Sequence, residues 1–225
     1  MKLVSVNIGL PQKVKFENEL VTTGIFKNPV DKRINLKKLN LECDKPADLT
    51  VHGGPDKAAY SYPSEYYGFW KEFPYMPQLN GMFGENLTTA GLFESQVSIG
   101  DMVQIGCAKV AATQPHMPCY KLGVKFGRMD IIKKFKSGKS GIYFKVVKED
   151  KIGTTDESIN LIKKDNNDVT IENIVEIVTQ VEIVTQDKNN KLLMEKVVKV
   201  QDLPLCWKHY FLEKLSHLNK TKNCT

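Results

Sequence analysis

Residues 102–113 read Met-Val-Gln-Ile-Gly-Cys-Ala-Lys-Val-Ala-Ala-Thr and contain two short alternating runs separated by Gly106. Alternation with a period of two is typical of β-strands with one buried face. Similar runs occur at Val4–Ile8, Asp48–Val51 and Ile142–Val147. Many short strands without regular helices between them predict a mainly β fold with helices, in which the strands form a closed or nearly closed β-barrel.

Shorter features interrupt this strand pattern. The segment Phe16–Val21 predicts a hairpin around its polar centre. Ser64 is placed to cap a helix that carries a cluster of aromatic residues. A second short helix is predicted over Met129–Phe135.

The character of the chain changes after Asn166-Asn167-Asp168. Thr170 can cap a helix with one apolar face, a second apolar segment covers Leu192–Val200, and Pro204 is suited to the first turn of a third helix. We therefore predict a β-barrel domain over residues 1–165 and a three-helix extension over residues 166–225. The repeat of Glu-Ile-Val-Thr-Gln at 176–180 and 182–186 is interpreted as a local duplication.

Composition narrows the class of protein. The chain has 225 residues, a formal net charge of +6 and five cysteines without a CxxC pair. Neither a structural zinc site nor a disulfide framework is expected. The absence of a long apolar run and of a signal peptide predicts a cytoplasmic protein without a membrane partner. The lysine-rich segment 133–139 is interpreted as a solvated face, and no nucleic-acid-binding motif is present.

The stretch Thr113–Gly123 is the strongest candidate for chemistry. Prolines at 115 and 118 bracket Met117, so the loop that presents Cys119 should be stiff. Positive neighbours such as His116 and Lys121 would lower the pKa of the thiol. A thiolate can act as a nucleophile or as a soft metal ligand, and a buried structural cysteine is the alternative.

Two glycine-containing turns supply further candidates. His52 follows the predicted strand Asp48–Val51 and precedes Gly53-Gly54-Pro55, where it could act as an acid, a base or a hydrogen-bond donor. Asn86 lies in a polar loop and could donate to an anion or a heterocycle. Taken alone, the His52 segment is better explained as a tight turn with a partly exposed histidine, and a hairpin loop without function explains the Asn86 segment equally well.

Several basic or polar residues are candidates for binding a phosphorylated cofactor. Some precede turns or adjoin glycines, although their spacing is not that of a P-loop. The candidate cofactor-binding residues are Lys27, Arg33, Asn86, Gln114, Lys121 and Arg128.

Taken together and in order, these motifs resemble the MOSC family, named for the C-terminal domain of molybdenum cofactor sulfurase, and within it the stand-alone YiiM-like branch. The resemblance rests on Thr23–Lys27, Ala47–Ala58, Phe83–Leu87 and Gln114–Gly123, with Pro204 and Trp207 in the C-terminal extension. It implies a strand-rich barrel, molybdenum of a pterin cofactor coordinated by Cys119, and His52 beside the metal.

The same resemblance implies an activity. Members of this branch are associated with reduction of N-hydroxylated small molecules, with His52, His116 and Cys119 as candidate catalytic residues here. Electrons would come from a separate reductase, because the chain shows no flavin or nicotinamide fingerprint. A homodimer is possible. The alternatives are a non-catalytic carrier of the cofactor or of a persulfide on Cys119, and a basic nucleic-acid-binding module.

The chain departs from the family pattern at three positions. His116 stands where the family usually has arginine, Cys43 where glycine is usual, and Pro46 where glutamine is usual. Arginine is a permanent cation, whereas histidine is neutral for much of the time near pH 7. Binding of an anion or substrate beside His116 is therefore expected to be weaker or pH-dependent.

Overall fold

The computed structural model describes residues 1–71, 80–135, 138–153, 158–179 and 188–222. Its strands are β1 (Lys2–Ile8), β2 (Gln12–Phe16), β3 (Glu19–Thr23), β4 (Asn28–Pro29), β5 (Ile34–Leu36), β6 (Ala59–Pro63), β7 (Leu87–Ala90), β8 (Met102–Ile105), β9 (Ala108–Pro115), β10 (Ile142–Lys148), β11 (Asp150–Ile152) and β12 (Ile159–Lys163).

The helices in the first part of the chain are short, and longer helices occur only after residue 170 among the described residues. Two 3₁₀ helices cover Pro55–Lys57 and Ser64–Trp70. The α-helices are α1 (Tyr120–Phe126), α2 (Ile131–Phe135), α3 (Ile171–Thr179), α4 (Lys188–Val197) and α5 (Leu205–Lys222). No described helix combines the length and the apolar character that crossing a membrane requires.

One eight-stranded sheet organises the fold, in the order β12-β8-β9-β10-β6-β7-β1-β4. Its pairs are antiparallel except for the parallel pair of β6 and β7. Strand β1, next to β4 at one edge of the sheet, approaches β12 at the other edge through an isolated bridge between Lys2 and Ser158. There the Ile159 amide donates to the Met1 carbonyl at 2.9 Å. The predicted class, mainly β with helices, is confirmed, but the strand ladder is not closed.

Two apolar clusters fill the interior. The larger one combines strand residues such as Val103 and Phe144 with Ile174, Val197 and Phe211 from α3, α4 and α5. The smaller one is largely aromatic and consists of Tyr60, Tyr62, Trp70, Phe83, Leu122, Ile131 and Phe135. The C-terminal helices therefore pack against the sheet and share one apolar core with it. The domain boundary at residue 165 stays a prediction.

Most of the predicted elements are present. The hairpin is formed by β2 and β3, with Glu17 at positive φ in its turn. The helix predicted after Ser64 is a 3₁₀ helix that begins at Ser64 itself and is preceded by Pro63. The second copy of the Glu-Ile-Val-Thr-Gln repeat, at 182–186, lies outside the described residues.

The strand predicted at Asp48–Val51 is wrong. These residues form a turn, in which the His52 amide donates to the Asp48 carbonyl at 2.9 Å. The Asp48 carboxylate accepts the Thr50 amide at 2.9 Å, so the side chain competes with strand pairing. Gly53 and Gly54 then continue at positive φ, which favours glycine.

The N-terminus of α3 is stabilised by a reciprocal pair of hydrogen bonds between Thr170 and Asn173. The Asn173 amide donates to Thr170 Oγ1 at 3.2 Å, and the Thr170 amide donates to Asn173 Oδ1 at 3.1 Å. Thr170→Ala removes one of these bonds and is expected to lower the free energy of unfolding by about 1 kcal/mol. Thr170→Ser keeps the hydroxyl and should stay close to the wild type in urea titrations. Equal stability of the alanine variant and the wild type would contradict this cap.

Candidate functional site

A cleft at one end of the sheet gathers most of the candidate residues. It encloses about 730 Å³, its open mouth included. Its walls come from segments far apart in the sequence, namely residues 23–27, 39–47, 52–60, 83–86 and 116–121, together with Tyr143. Six of the predicted site residues line it: Lys27, His52, Asn86, His116, Cys119 and Lys121.

Cys119 stands where the loop after β9 enters α1. Its backbone is extended, with φ −111° and ψ 171°, and its carbonyl accepts the Leu122 amide at 3.0 Å. The thiol is half-buried, forms no disulfide and lies close enough to Tyr143 to act on it electrostatically. The structure therefore presents a free sulfur to the cleft, as expected of a ligand or nucleophile.

His116 is buried in the wall of the same cleft. Its ring stacks on Tyr60 with centroids 4.3 Å apart, and its Nδ1 has no hydrogen-bond partner among the described residues. Burial, with smaller effects of His52 and Lys57, lowers the pKa of His116 to about 3. The expectation that His116 acts as a positive neighbour of the thiol is wrong, because a buried imidazole stays neutral near pH 7.

His52 is half-buried on the opposite turn. Burial is the main cause that lowers its pKa below the ordinary value of 6.5, and the positive charges of Lys121 and Lys57 act in the same direction. Both imidazoles of the cleft are therefore mostly neutral near pH 7. The positive charge of the cleft comes from its lysines instead.

The lysines of the cleft fall into two groups. Lys121 forms no hydrogen bond or ion pair within the described part of the chain, and Lys57 donates to the Val51 carbonyl at 2.8 Å. Lys27 instead forms a buried ion pair with Asp44, with side chains only 9% and 7% exposed. Lys121 and Lys57 are thus better placed than Lys27 to meet an anion that enters the cleft.

Asp44 also determines the role of Asn86. The Asp44 carboxylate accepts the Asn86 side-chain amide at 3.0 Å and the Gly9 backbone amide at 2.9 Å. The Asn86 side-chain oxygen in turn accepts the Tyr60 amide at 3.2 Å. Asn86 and Lys27 therefore line the cleft with side chains already engaged in its wall.

Lys125 closes the wall behind these residues. Its ammonium donates to the carbonyls of Gly81 at 2.7 Å and Ile25 at 3.0 Å. These bonds connect α1, which begins next to Cys119, to the two loops that carry Lys27 and Asn86. Burial lowers the pKa of Lys125 to about 8. Lys125 was not among the predicted site residues, because an isolated lysine in a helix gives no sequence signal.

The structure places three predicted residues outside the cleft. Arg33 is exposed and donates to the Lys151 carbonyl at 2.5 Å, and Arg128 pairs with Asp130 at the surface. Gln114 is buried, where its side-chain oxygen accepts the Trp207 indole N–H at 2.7 Å. A direct contact of these side chains with a ligand in the cleft would require rearrangement.

The residues that line the cleft but were not selected by the sequence analysis include Asp44, Lys57, Tyr60 and Tyr143. Lys57 follows His52 by five residues within the segment Ala47–Ala58, so spacing could have identified it. The other three occupy a loop and two strands without a distinctive pattern, and only the tertiary fold brings them together.

The donor set of the cleft restricts the kind of metal site that it could form. No group of three or more His, Cys, Asp or Glu side chains with metal-binding geometry occurs within the described ranges. A metal held at Cys119 would receive one soft sulfur from the protein and would need further ligands from a non-protein group. An anionic cofactor that carries its own metal fits this arrangement, and Lys121 and Lys57 could meet its negative charge.

Comparisons with known proteins agree with this fold. Residues 48–158 match the model of the MOSC domain. The chain is 35% identical over 217 residues to the uncharacterized protein YflK of Bacillus subtilis (strain 168), covering 96% of this chain and 95% of that protein. It is 38% identical over 164 residues to protein YiiM of Escherichia coli (strain K12), covering 71% and 72%. The crystal structure of YiiM from Geobacillus stearothermophilus superposes with a TM-score of 0.77 at 31% identity, covering 95% of this chain and 98% of that chain.

The lowered pKa of Lys125 predicts a pH dependence of stability. Between about pH 8 and the ordinary value of 10.5 the unfolded chain binds this proton more often than the folded chain does. The stability of the wild type relative to Lys125→Met should therefore rise with pH across this window and be constant below it. Urea titrations of both proteins measure this difference, with the exposed Lys133→Met variant as a control for loss of charge. A difference that is flat or falls from pH 8 upward would contradict the burial of Lys125.

Proposed function

The chain belongs to the MOSC domain family, and from this membership we propose that it is a molybdenum-cofactor-binding oxidoreductase that reduces N-hydroxylated compounds. The observation that carries the proposal is the free thiol of Cys119 inside a cleft lined by His52, Lys57 and Lys121. This thiol meets the two requirements of a single-cysteine metal site: access from the cleft and no competing disulfide.

We assign the binding roles from the contacts of each side chain. Cys119 would supply the protein ligand to the metal. Lys121 and Lys57 would meet the negative charge of the pterin phosphate, while the pair of Lys27 and Asp44 keeps the wall in place. When bound, the cofactor supplies the two-electron chemistry that breaks the N–O bond.

The proposed reaction consumes two electrons and two protons. The N–O bond breaks, the leaving hydroxyl takes one proton and departs as water, and the nitrogen takes the other proton to form a new N–H bond. His52 is the candidate proton donor, because it is half-buried at the cleft. Its lowered pKa makes the protonated imidazole a minor form near pH 7 but a stronger acid, which would take a proton from solvent, pass it to the substrate and return to the neutral form. His116, which is neutral and stacked on Tyr60, would contribute shape and hydrogen bonding rather than charge.

A separate reductase would supply the electrons in the cell. The 225 residues contain no flavin or nicotinamide fingerprint, and the proposal therefore includes a partner that would deliver the electrons. Reduced methyl viologen can replace that partner in an assay, which separates the chemistry of the cleft from the identity of the natural donor.

The metal content of a cysteine variant tests the central assignment. Wild-type protein made in a host that produces the cofactor is expected to contain molybdenum and pterin, measured by elemental analysis and by pterin fluorescence after oxidation. Cys119→Ser should lose both, because a hydroxyl is a poor replacement for a soft thiolate ligand. Cys107→Ser, at an exposed turn between β8 and β9, is the matched control and should keep both.

The same preparations distinguish the alternative function. Normal molybdenum and pterin in Cys119→Ser would rule out Cys119 as the ligand. A stable sulfur adduct on Cys119, seen by mass spectrometry without any viologen-coupled turnover, would favour a persulfide carrier over a reductase.

The proton-donor role of His52 gives a second prediction. His52→Gln keeps a hydrogen-bonding side chain, but an amide cannot act as an acid near pH 7. Turnover of an N-hydroxylated amidine should therefore fall by about 100-fold or more. The variant should retain molybdenum, which confirms that binding is intact. Viologen oxidation at the wild-type rate in a metal-loaded His52→Gln protein would exclude this role.

A further inference from the structure

A β-bulge in β9 lies directly before the loop that carries His116 and Cys119. Tyr143 of β10 pairs with Gln114, but the next residue, Phe144, pairs with Ala112, so Thr113 is the extra residue. A bulge redirects side chains that would otherwise alternate between the two faces of a sheet. Thr113 Oγ1 and Gln114 Nε2 consequently both reach the Asp56 carbonyl, at 2.7 and 3.4 Å.

Asp56 belongs to the turn that contains His52. It lies in the 3₁₀ helix Pro55–Lys57, two residues after Gly54. The turn closes on itself through the bond from Lys57 Nζ to the Val51 carbonyl at 2.8 Å. The contacts of Asp56 with β9 therefore fix the His52 turn relative to the loop of Cys119.

Trp207 holds the other side of Gln114. It lies in the first turn of α5, is half-buried, and its ring stacks on Phe211 with centroids 5.7 Å apart. Its indole N–H donates to Gln114 Oε1 at 2.7 Å. The helix thus reaches across the core to a buried side chain that also touches the His52 turn.

The chemistry of the indole decides the orientation of the Gln114 amide. The indole nitrogen is a donor only, so the atom that faces it must be the amide oxygen. The amide NH₂ then faces the Asp56 carbonyl, which is an acceptor. Without the indole N–H, the buried amide could flip and bring its oxygen against the Asp56 carbonyl, which would weaken the anchor of the turn.

We propose that Trp207 and Gln114 are positioning residues for the His52 turn, through which the C-terminal helix α5 sets the geometry of the cleft. The inference rests on the proposed function only for the catalytic use of His52. The physical coupling from Trp207 to the turn is a property of the cofactor-free chain and can be measured there.

Hydrogen–deuterium exchange of the cofactor-free protein tests this coupling. Trp207→Phe keeps the stacking with Phe211 but removes the N–H donor. Exchange in peptides that cover residues 48–58 should rise about fivefold, the ratio that corresponds to one hydrogen bond of about 1 kcal/mol. Alkylation of Cys119 by iodoacetamide, measured relative to Cys107, should rise as well, because the turn forms one wall of the cleft.

Tyr210→Phe is the matched control on the same helix. Tyr210 packs against Trp207 with centroids 5.8 Å apart, and its hydroxyl makes no hydrogen bond within the described ranges. A merely structural role of Trp207 predicts that Trp207→Phe lowers the thermal unfolding temperature and raises exchange throughout the core, without a selective change at residues 48–58 relative to Tyr210→Phe. That outcome would overturn the proposal, and a change of the turn in Trp207→Phe alone would support it.

A double-mutant cycle determines whether Trp207 acts through Gln114. In the Gln114→Met background the amide is absent, so Trp207→Phe should add nothing to the exchange of the turn. Additive effects would overturn the relay. If Trp207→Phe fails to fold, Gln114→Glu provides the test, because it keeps the acceptor for the indole and removes the donor to Asp56. Unchanged exchange at residues 48–58 in Gln114→Glu would then refute the proposal.

Discussion

The buried carboxylate of Asp44 is the interaction on which the cleft depends. It accepts hydrogen bonds from Lys27, Asn86 and the Gly9 amide, which belong to three separate parts of the chain. A charge removed from water is tolerated only when it is paired and its remaining acceptor positions are filled. Since the partners lie on different loops, satisfying this one group forces those loops together, and the walls of the cleft follow from that requirement.

Burial in the same low-polarity surroundings determines which side chains of the cleft are charged and which are neutral. Burial favours the neutral form of a histidine, so His116 and, to a lesser degree, His52 lose their protons. Lysines that reach water, such as Lys121, keep the positive charge that the imidazoles do not carry. The cleft is therefore suited to a ligand with a negatively charged end and a neutral reacting group, and the two ends would meet different side chains.

The sequence predicted those parts of the fold whose signals are local. Alternation gave the strands around residues 102–113, and the cap at Thr170 gave the start of α3, because both depend on residues close in the chain. The turn at Asp48 was missed, since the side chain of Asp48 competes with strand pairing in a segment that otherwise alternates. At the site, the position of Cys119 in a loop after a strand was predictable from the sequence. The inclusion of Asp44, Tyr60 and Tyr143 and the exclusion of Arg33 depend on tertiary contacts between distant segments.

The C-terminal helices contact the sheet through both apolar packing and a hydrogen bond. Their apolar faces join the core of the sheet, and Trp207 is the point where that packing meets a polar group of β9. Apolar packing alone is non-directional and tolerates small shifts between elements. A hydrogen bond between an indole and a buried amide fixes orientation as well as distance. Because the bulge at Thr113 places that amide next to the His52 turn, a directional contact in the helical part of the chain is transmitted to the cleft, where small displacements would matter for the proposed reaction.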